Sequence, residues 1–110
     1  SMATINHGEP SFELYDEVVS ESKGRIINSE GKLAGSSITQ IDAIKNAYQK
    51  CNIPLDSAIS MATLYPAEYL GVADHIGQLK KGYRANLAHF DSDFHVHNVW
   101  LAGKQIKKDT

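Results

Sequence analysis

The sequence has few of the residues that mark secreted, membrane-spanning or nucleic-acid-binding proteins. Cys51 is the single cysteine among 110 residues, so an internal disulfide is excluded and a reducing cytoplasm is expected. No apolar run approaches the ~20 residues that cross a bilayer, and the polar residues 1–10 lack a signal-peptide core. The net charge is −2 and the basic residues are scattered. We therefore expect neither nucleic acid nor a membrane as partner.

The residues that are present predict one long helix in the middle of the chain. Apolar residues recur at spacings of three and four, which indicates one apolar face of a helix. This apolar stripe consists of Ile38, Ile41, Ile44, Tyr48 and Cys51. Ser36, Ser37 and Thr39 are candidate N-caps, and Asp42 could complement the first turn. The segment 52–54 ends the helix.

Short elements are predicted on both sides of this helix. Weak alternation over 12–19 and a β-branched run at 25–27, closed by a turn at 28–31, indicate strands. Pro54 and Pro66 suit the first turns of two further helices, and Gly71 suits a helix C-cap. After Gly71 the pattern alternates, and Ala102-Gly103 is typical of a hairpin.

Taken together, the first two-thirds are predicted to be mostly helical and the last third to be β. Three helices and about four or five short strands would leave sheet edges and an apolar helix face uncovered, which whole domains avoid. The pattern therefore favours a chain that is part of a larger domain.

His95 and His97 form the one motif typical of metal binding. Alternate residues of a strand project from one face, so both imidazoles could bind one ion, with His89 on a neighbouring strand as the third ligand. No acidic residue between Phe94 and Lys104 could complete the site. The favoured interpretation is a strand face without metal.

The other candidates for chemistry have simpler explanations. Ser36 and Ser37 lack the surroundings of a nucleophile and are interpreted as caps, although backbone N–H groups there, with that of Gly35, would suit an anion or sugar. No chemistry is predicted for four further sites. Cys51 is expected in the core and Trp100 in a packed surface, whereas Asp74-His75 and His7 are expected to be solvated.

Three stretches carry a resemblance to a known family. Residues 61–71 read Met-Ala-Thr-Leu-Tyr-Pro-Ala-Glu-Tyr-Leu-Gly, and residues 76–87 read Ile-Gly-Gln-Leu-Lys-Lys-Gly-Tyr-Arg-Ala-Asn-Leu. Both resemble the C-terminal signature of the amidohydrolase superfamily. Residues 31–39, Gly-Lys-Leu-Ala-Gly-Ser-Ser-Ile-Thr, resemble the segment before the last long helix of its N-acetylglucosamine-6-phosphate deacetylases.

The resemblance implies an α/β fold, the C-terminal fragment of a (β/α)₈ amidohydrolase barrel. Residues 1–73 would be the last, mostly helical barrel segments with a substrate-side loop, and 74–110 strands of the small β-sandwich. Leu33, Ala34 and Gly35 match positions that line the sugar phosphate. The implied partners are an amino-sugar phosphate, the remainder of the barrel and a second copy in a homodimer.

The resemblance also implies a reaction, in which water and a divalent metal ion, zinc or another first-row ion, remove acetate from N-acetylglucosamine 6-phosphate. The family's metal ligands, a glutamate and two histidines, come from earlier strands without counterpart here, which argues against His95 and His97 as ligands. The catalytic aspartate would directly precede Ser1. The 110 residues are therefore expected to hold no catalytic residue, to bind no metal and to be inactive alone.

Two alternatives remain open at this point. The chain could belong to another amidohydrolase that acts on a cyclic amide or an amine, such as a dihydroorotase or a deaminase. It could also be a non-catalytic module that pairs through open sheet edges.

Overall fold

The computed structural model describes residues 11–14, 17–23 and 25–109. The chain divides into two compact units, Ser1–Ala43 and Ile44–Thr110. The predicted loop at residues 1–10, with His7 and the implied position of Ser1, lies outside the described residues.

The first unit contains a four-stranded antiparallel sheet in the order β1-β2-β3-β4. Its strands are β1 (Ser11–Leu14), β2 (Glu17–Ser22), β3 (Arg25–Asn28) and β4 (Leu33–Ser36). Ile26 on β3 is fully buried, which makes it the best-covered apolar side chain of this sheet among the described residues.

The predicted turn at 28–31 joins β3 to β4. The Asn28 side-chain oxygen accepts hydrogen bonds from the backbone N–H groups of Glu30, at 3.1 Å, and Lys32, at 2.8 Å. Gly31 has φ +77° and donates its N–H to the Asn28 carbonyl, a conformation that glycine adopts without steric cost. The asparagine and the glycine thus fix the turn that brings β4 beside β3.

Helix α1 (Gln40–Lys50) begins with a reciprocal cap. The Thr39 hydroxyl accepts from the Asp42 N–H, and an Asp42 carboxylate oxygen accepts from the Thr39 N–H at 3.0 Å and from its hydroxyl at 2.6 Å. This is the capping-box arrangement with aspartate at the third position. Of the three predicted caps, Thr39 is confirmed.

Two predictions about α1 and its ends are wrong. Ser36 and Ser37 do not cap the helix, because α1 begins three residues after Ser37 and Ser36 closes strand β4. Cys51 is exposed and not in a core. It lies beyond the last helical residue, where Asn52, with φ +58°, turns the chain away from the helical path.

In the second unit, α2 (Leu55–Ala62) and α3 (Leu64–Tyr69) follow each other closely. Pro54 is the N-cap of α2, whereas Pro66 is the third residue of α3. Gly71 ends α3 as predicted: its N–H donates to Glu68 and that of Val72 to Ala67, the Schellman pattern.

A three-stranded antiparallel sheet, ordered β5-β6-β7, completes the second unit. Its strands are β5 (Leu87–Phe90), β6 (Val96–Leu101) and β7 (Lys104–Lys108). Ala102 and Gly103 both have positive φ, at +50° and +81°, as in a type I′ hairpin. The Asn86 side chain supports this predicted hairpin by accepting the Ala102 N–H at 2.9 Å.

The described residues of segment 1–73, which is predicted to be mostly helical, form a four-stranded sheet as well as three helices. Strand β4 lies between the predicted turn at 28–31 and α1, a segment for which no strand is predicted. In the described ranges, no helix combines the length and the apolar character needed to cross a membrane. The division at residue 73 stays a prediction.

Candidate functional site

Leu33, Ala34 and Gly35, predicted to line a substrate, lie together on β4. The pairing of β3 with β4 shifts register between Ile26 and Ile27, whose partners are Gly35 and Leu33. Ala34 is therefore an extra residue in β4, a bulge that bends the strand locally. Leu33 is 68% exposed, while Ala34 and Gly35 are half-buried. The three residues form an accessible surface strip with one projecting apolar side chain.

The expected anion site at a helix N-terminus is not formed by this segment. Gly35 and Ser36 pair with Ile26 and Arg25 of β3, so both residues belong to the sheet and not to the first turn of α1. The side chains of Leu33 and Ala34 also hold no metal-ligating atom, and Gly35 has no side chain. What this strip offers is apolar surface and backbone polar groups.

A second group of functional side chains converges on the β5–β6 pair, with His89 on β5, His97 on β6 and His95 directly before β6. Pairing shifts register between His89 and Phe90, whose partners are Asn98 and Val96. His97 is thus the extra residue of a bulge in β6. Its ring centroid lies 4.6 Å from that of His95 and 5.5 Å from that of His89.

Two carboxylates complete this group, which we call the His97 cluster: His95, His97, Asp91 and Asp109. His97 Nε2 lies 2.7 Å from Asp91 Oδ2, and His97 Nδ1 lies 2.5 Å from Asp109 Oδ2. His95 Nε2 is 3.4 Å from the same Asp109 oxygen.

The electrostatics of the cluster follow from these contacts. The hydrogen bond with Asp91, and then that with Asp109, raises the pKa of His97 above its ordinary value. The contacts with His97 in turn hold the pKa of each carboxyl below its usual value. The arrangement favours a protonated imidazole that donates to two ionised carboxylates.

Neither aspartate lies between Phe94 and Lys104, the window that holds no acidic residue. Asp91 lies before this window, and Asp109 lies after it on the far side of the 102–103 hairpin. The hairpin could have revealed Asp109, because the pairing of Asn98 with Lys108 brings the next residue opposite His97. His89, the candidate third ligand, places its Nδ1 2.9 Å from Asn98 Oδ1.

The remaining candidates have local roles. Asp74 Oδ1 lies 2.6 Å from His75 Nδ1, and this hydrogen bond lowers the pKa of Asp74. Both side chains are exposed, as predicted. Trp100 is half-buried on β6, which agrees with a packing role.

Comparison with known proteins identifies relatives along nearly the whole chain. The profile described as "Amidohydrolase family" matches residues 14–106. An N-acetylglucosamine-6-phosphate deacetylase of Haemophilus influenzae is 38% identical over 94 residues, 86% of this chain and 25% of the relative. An N-acetylgalactosamine-6-phosphate deacetylase of Escherichia coli O157:H7 is 36% identical over 93 residues, 84% of this chain and 25% of the relative.

A solved structure agrees with these matches. The crystal structure of N-acetylglucosamine-6-phosphate deacetylase from Pasteurella multocida superposes with a TM-score of 0.83 at 36% identity, covering 89% of this chain and 26% of that one. The chain thus spans about a quarter of the length of these relatives.

Proposed function

Because this chain belongs to the amidohydrolase family, we propose that it forms the C-terminal part of a deacetylase that converts N-acetylglucosamine 6-phosphate and water to glucosamine 6-phosphate and acetate. The observation that carries the proposal is the 38% identity to a protein of that name over 86% of the chain. The TM-score of 0.83 with a second protein of that name supports it.

Within this proposal, the strip Leu33, Ala34 and Gly35 contacts the amino-sugar phosphate. Leu33 offers an exposed apolar side chain, which suits the carbon face of a sugar ring. The bulge at Ala34 leaves backbone groups of β4 outside the regular ladder, where sugar hydroxyls can reach them. The strip thus binds and orients substrate and transfers no proton.

The divalent metal ion implied by the family, zinc or another first-row ion, does not fit this strip. Leu33 and Ala34 have apolar side chains and Gly35 has none, so the strip offers no side-chain ligand atom and no catalytic step is assigned to it. When bound elsewhere in the full-length enzyme, the ion would polarise the amide carbonyl and activate water. We further propose a cytoplasmic homodimer, in which the barrel residues outside this chain supply the metal ligands and the catalytic aspartate.

The first test compares the full-length protein that carries these residues with the 110-residue chain alone. Acetate released from N-acetylglucosamine 6-phosphate is measured for both at equal molar concentration. We expect turnover by the full-length protein and none by the chain alone. Turnover by the purified 110-residue chain would contradict the division of roles proposed here.

A second test addresses Leu33 within the full-length protein. Leu33→Ala removes binding surface used equally by the substrate and the transition state, so KM for N-acetylglucosamine 6-phosphate should rise about three- to tenfold with kcat nearly unchanged. Val18→Ala is the matched control, because Val18 is also apolar, is 61% exposed and lies on the same sheet. An unchanged KM for Leu33→Ala, or an equal rise for Val18→Ala, would remove Leu33 from the substrate site.

A further inference from the structure

The His97 cluster concentrates metal-ligating side chains in one place. His95, His97 and Asp109 each offer one ligand atom, and these three atoms lie within 4.8 Å of one another. A surface pocket opens beside them, lined by His89, Asp91, His97, Asn98 and Asp109. A small ion can therefore reach the ligand atoms from solvent.

Two irregularities of the sheet bring these residues together. The β6 bulge at His97 interrupts the β5–β6 ladder, and bulges of this kind re-aim side chains. A second register shift lies between Val99 and Trp100 on the β7 side. This shift sets the register of β6 and β7 that places Asp109 opposite His97, 12 residues away in sequence.

Asp91 fixes the orientation of the His97 ring. Its Oδ1 accepts hydrogen bonds from the backbone N–H groups of Asp93 and His95, at 2.9 and 3.1 Å, and its Oδ2 contacts His97 Nε2. A carboxylate that accepts from one imidazole nitrogen leaves the other nitrogen for a metal, as in carboxylate–histidine–zinc triads. Asp91 thus directs Nδ1 of His97 toward His95 and Asp109.

We propose that His95, His97 and Asp109 bind a divalent first-row transition-metal ion such as zinc, with Asp91 as positioning residue. Two imidazole nitrogens and one carboxylate oxygen are a donor set that zinc accepts, with water in the fourth position. The 3.4 Å between His95 Nε2 and Asp109 Oδ2 matches the separation of about 3.4 Å expected for tetrahedral ligands with bonds of 2.0–2.1 Å.

The contact between His97 Nδ1 and Asp109 must open when the ion enters. At 2.5 Å it is a hydrogen bond, shorter than the separation of two ligands of one ion. The Asp109 side chain is 45% exposed, so its carboxylate can rotate. The Nδ1 proton leaves to solvent, and the metal takes its position.

The test measures zinc binding by the 110-residue chain. Equilibrium dialysis at about pH 8, above the ordinary histidine pKa of about 6.5, gives stoichiometry and affinity. Cobalt(II) serves as a spectroscopic substitute, because its visible absorption reports a nitrogen- and oxygen-ligated site. We expect one ion per chain and a rise in the thermal unfolding midpoint with zinc concentration, since binding to the folded state alone stabilises it.

Variants assign the site to its residues. His97→Ala and Asp109→Asn should each abolish the cobalt absorption and the thermal shift, and Asp91→Asn should weaken zinc binding by about 10- to 100-fold. The exposed pair Asp74 and His75 offers the matched control, so Asp74→Asn and His75→Ala should leave affinity unchanged. Far-UV circular dichroism of each variant verifies its secondary structure.

Two results would overturn the proposal. One is the absence of zinc and cobalt binding by the unaltered chain. The other is binding that survives both His97→Ala and Asp109→Asn, since an ion held elsewhere would not depend on these side chains. Because deacetylation is not measured here, neither result bears on the proposed function.

Discussion

At the scale of one residue, Gly77 allows a close contact between a loop and helix α3 in the second unit. A Cβ added to Gly77 would lie 2.8 Å from the Ala67 Cβ and 3.2 Å from the Thr63 carbonyl oxygen. Its φ is +97°, a conformation that residues with a side chain rarely adopt. The absent side chain allows the loop that contains Gly77 to pack directly on α3.

Replacing this glycine should be costly. Gly77→Ala combines an overpacked contact with a strained backbone, and we expect the free energy of unfolding to fall by about 2–4 kcal/mol. Urea denaturation of the chain measures the change.

Gly82→Ala is the control for the backbone contribution. Gly82 has φ +88°, but nothing lies within 4 Å of an added Cβ. Its replacement should therefore cost only about 1–2 kcal/mol. Equal losses at both positions would show that the contact with Ala67 contributes nothing.

At the scale of an element, the hairpin between β6 and β7 also contains a residue with positive φ. Ala102 occupies a position with φ +50°, where asparagine is preferred over alanine. We expect Ala102→Asn to raise the free energy of unfolding by about 0.5–1 kcal/mol, and thermal unfolding checks it.

Ala102→Val provides the opposite change. A β-branched residue tolerates positive φ least, so this variant should lower the unfolding midpoint. If both substitutions shift the midpoint in the same direction, backbone strain does not govern this turn.

Elements with strong local signals could be predicted from sequence, and β4 could not. Four elements are determined by residues close to one another in sequence: helix α1, the turn at Asn28, the end of α3 at Gly71 and the 102–103 hairpin. Leu33–Ser36 forms a strand because β3 pairs with it, and the bulge at Ala34 breaks the alternation that would indicate a strand. The prediction that Ser36 and Ser37 cap α1 is wrong because the pairing of β4 with β3 places Ser36 in the sheet, and α1 begins only at Gln40.

At the scale of the whole molecule, the family could be recognised because the motifs at 31–39, 61–71 and 76–87 are contiguous. The His97 cluster could not be predicted from the sequence, because two register shifts in the sheet determine that Asp91 and Asp109 lie beside His97. Sequence separation gives no direct measure of such shifts. The role of Leu33, Ala34 and Gly35 stays a prediction, although the three residues do lie accessible on one strip.

The relatives act, by their names, on two amino-sugar phosphates, so substrate preference tests the proposed function most directly. The full-length protein is given N-acetylglucosamine 6-phosphate, N-acetylgalactosamine 6-phosphate and dihydroorotate, and kcat/KM is measured for each. We predict the highest kcat/KM for N-acetylglucosamine 6-phosphate, by at least about tenfold, which corresponds to about 1.4 kcal/mol of transition-state stabilisation. A higher value for either other compound, or no acetate release at all, would contradict the proposal.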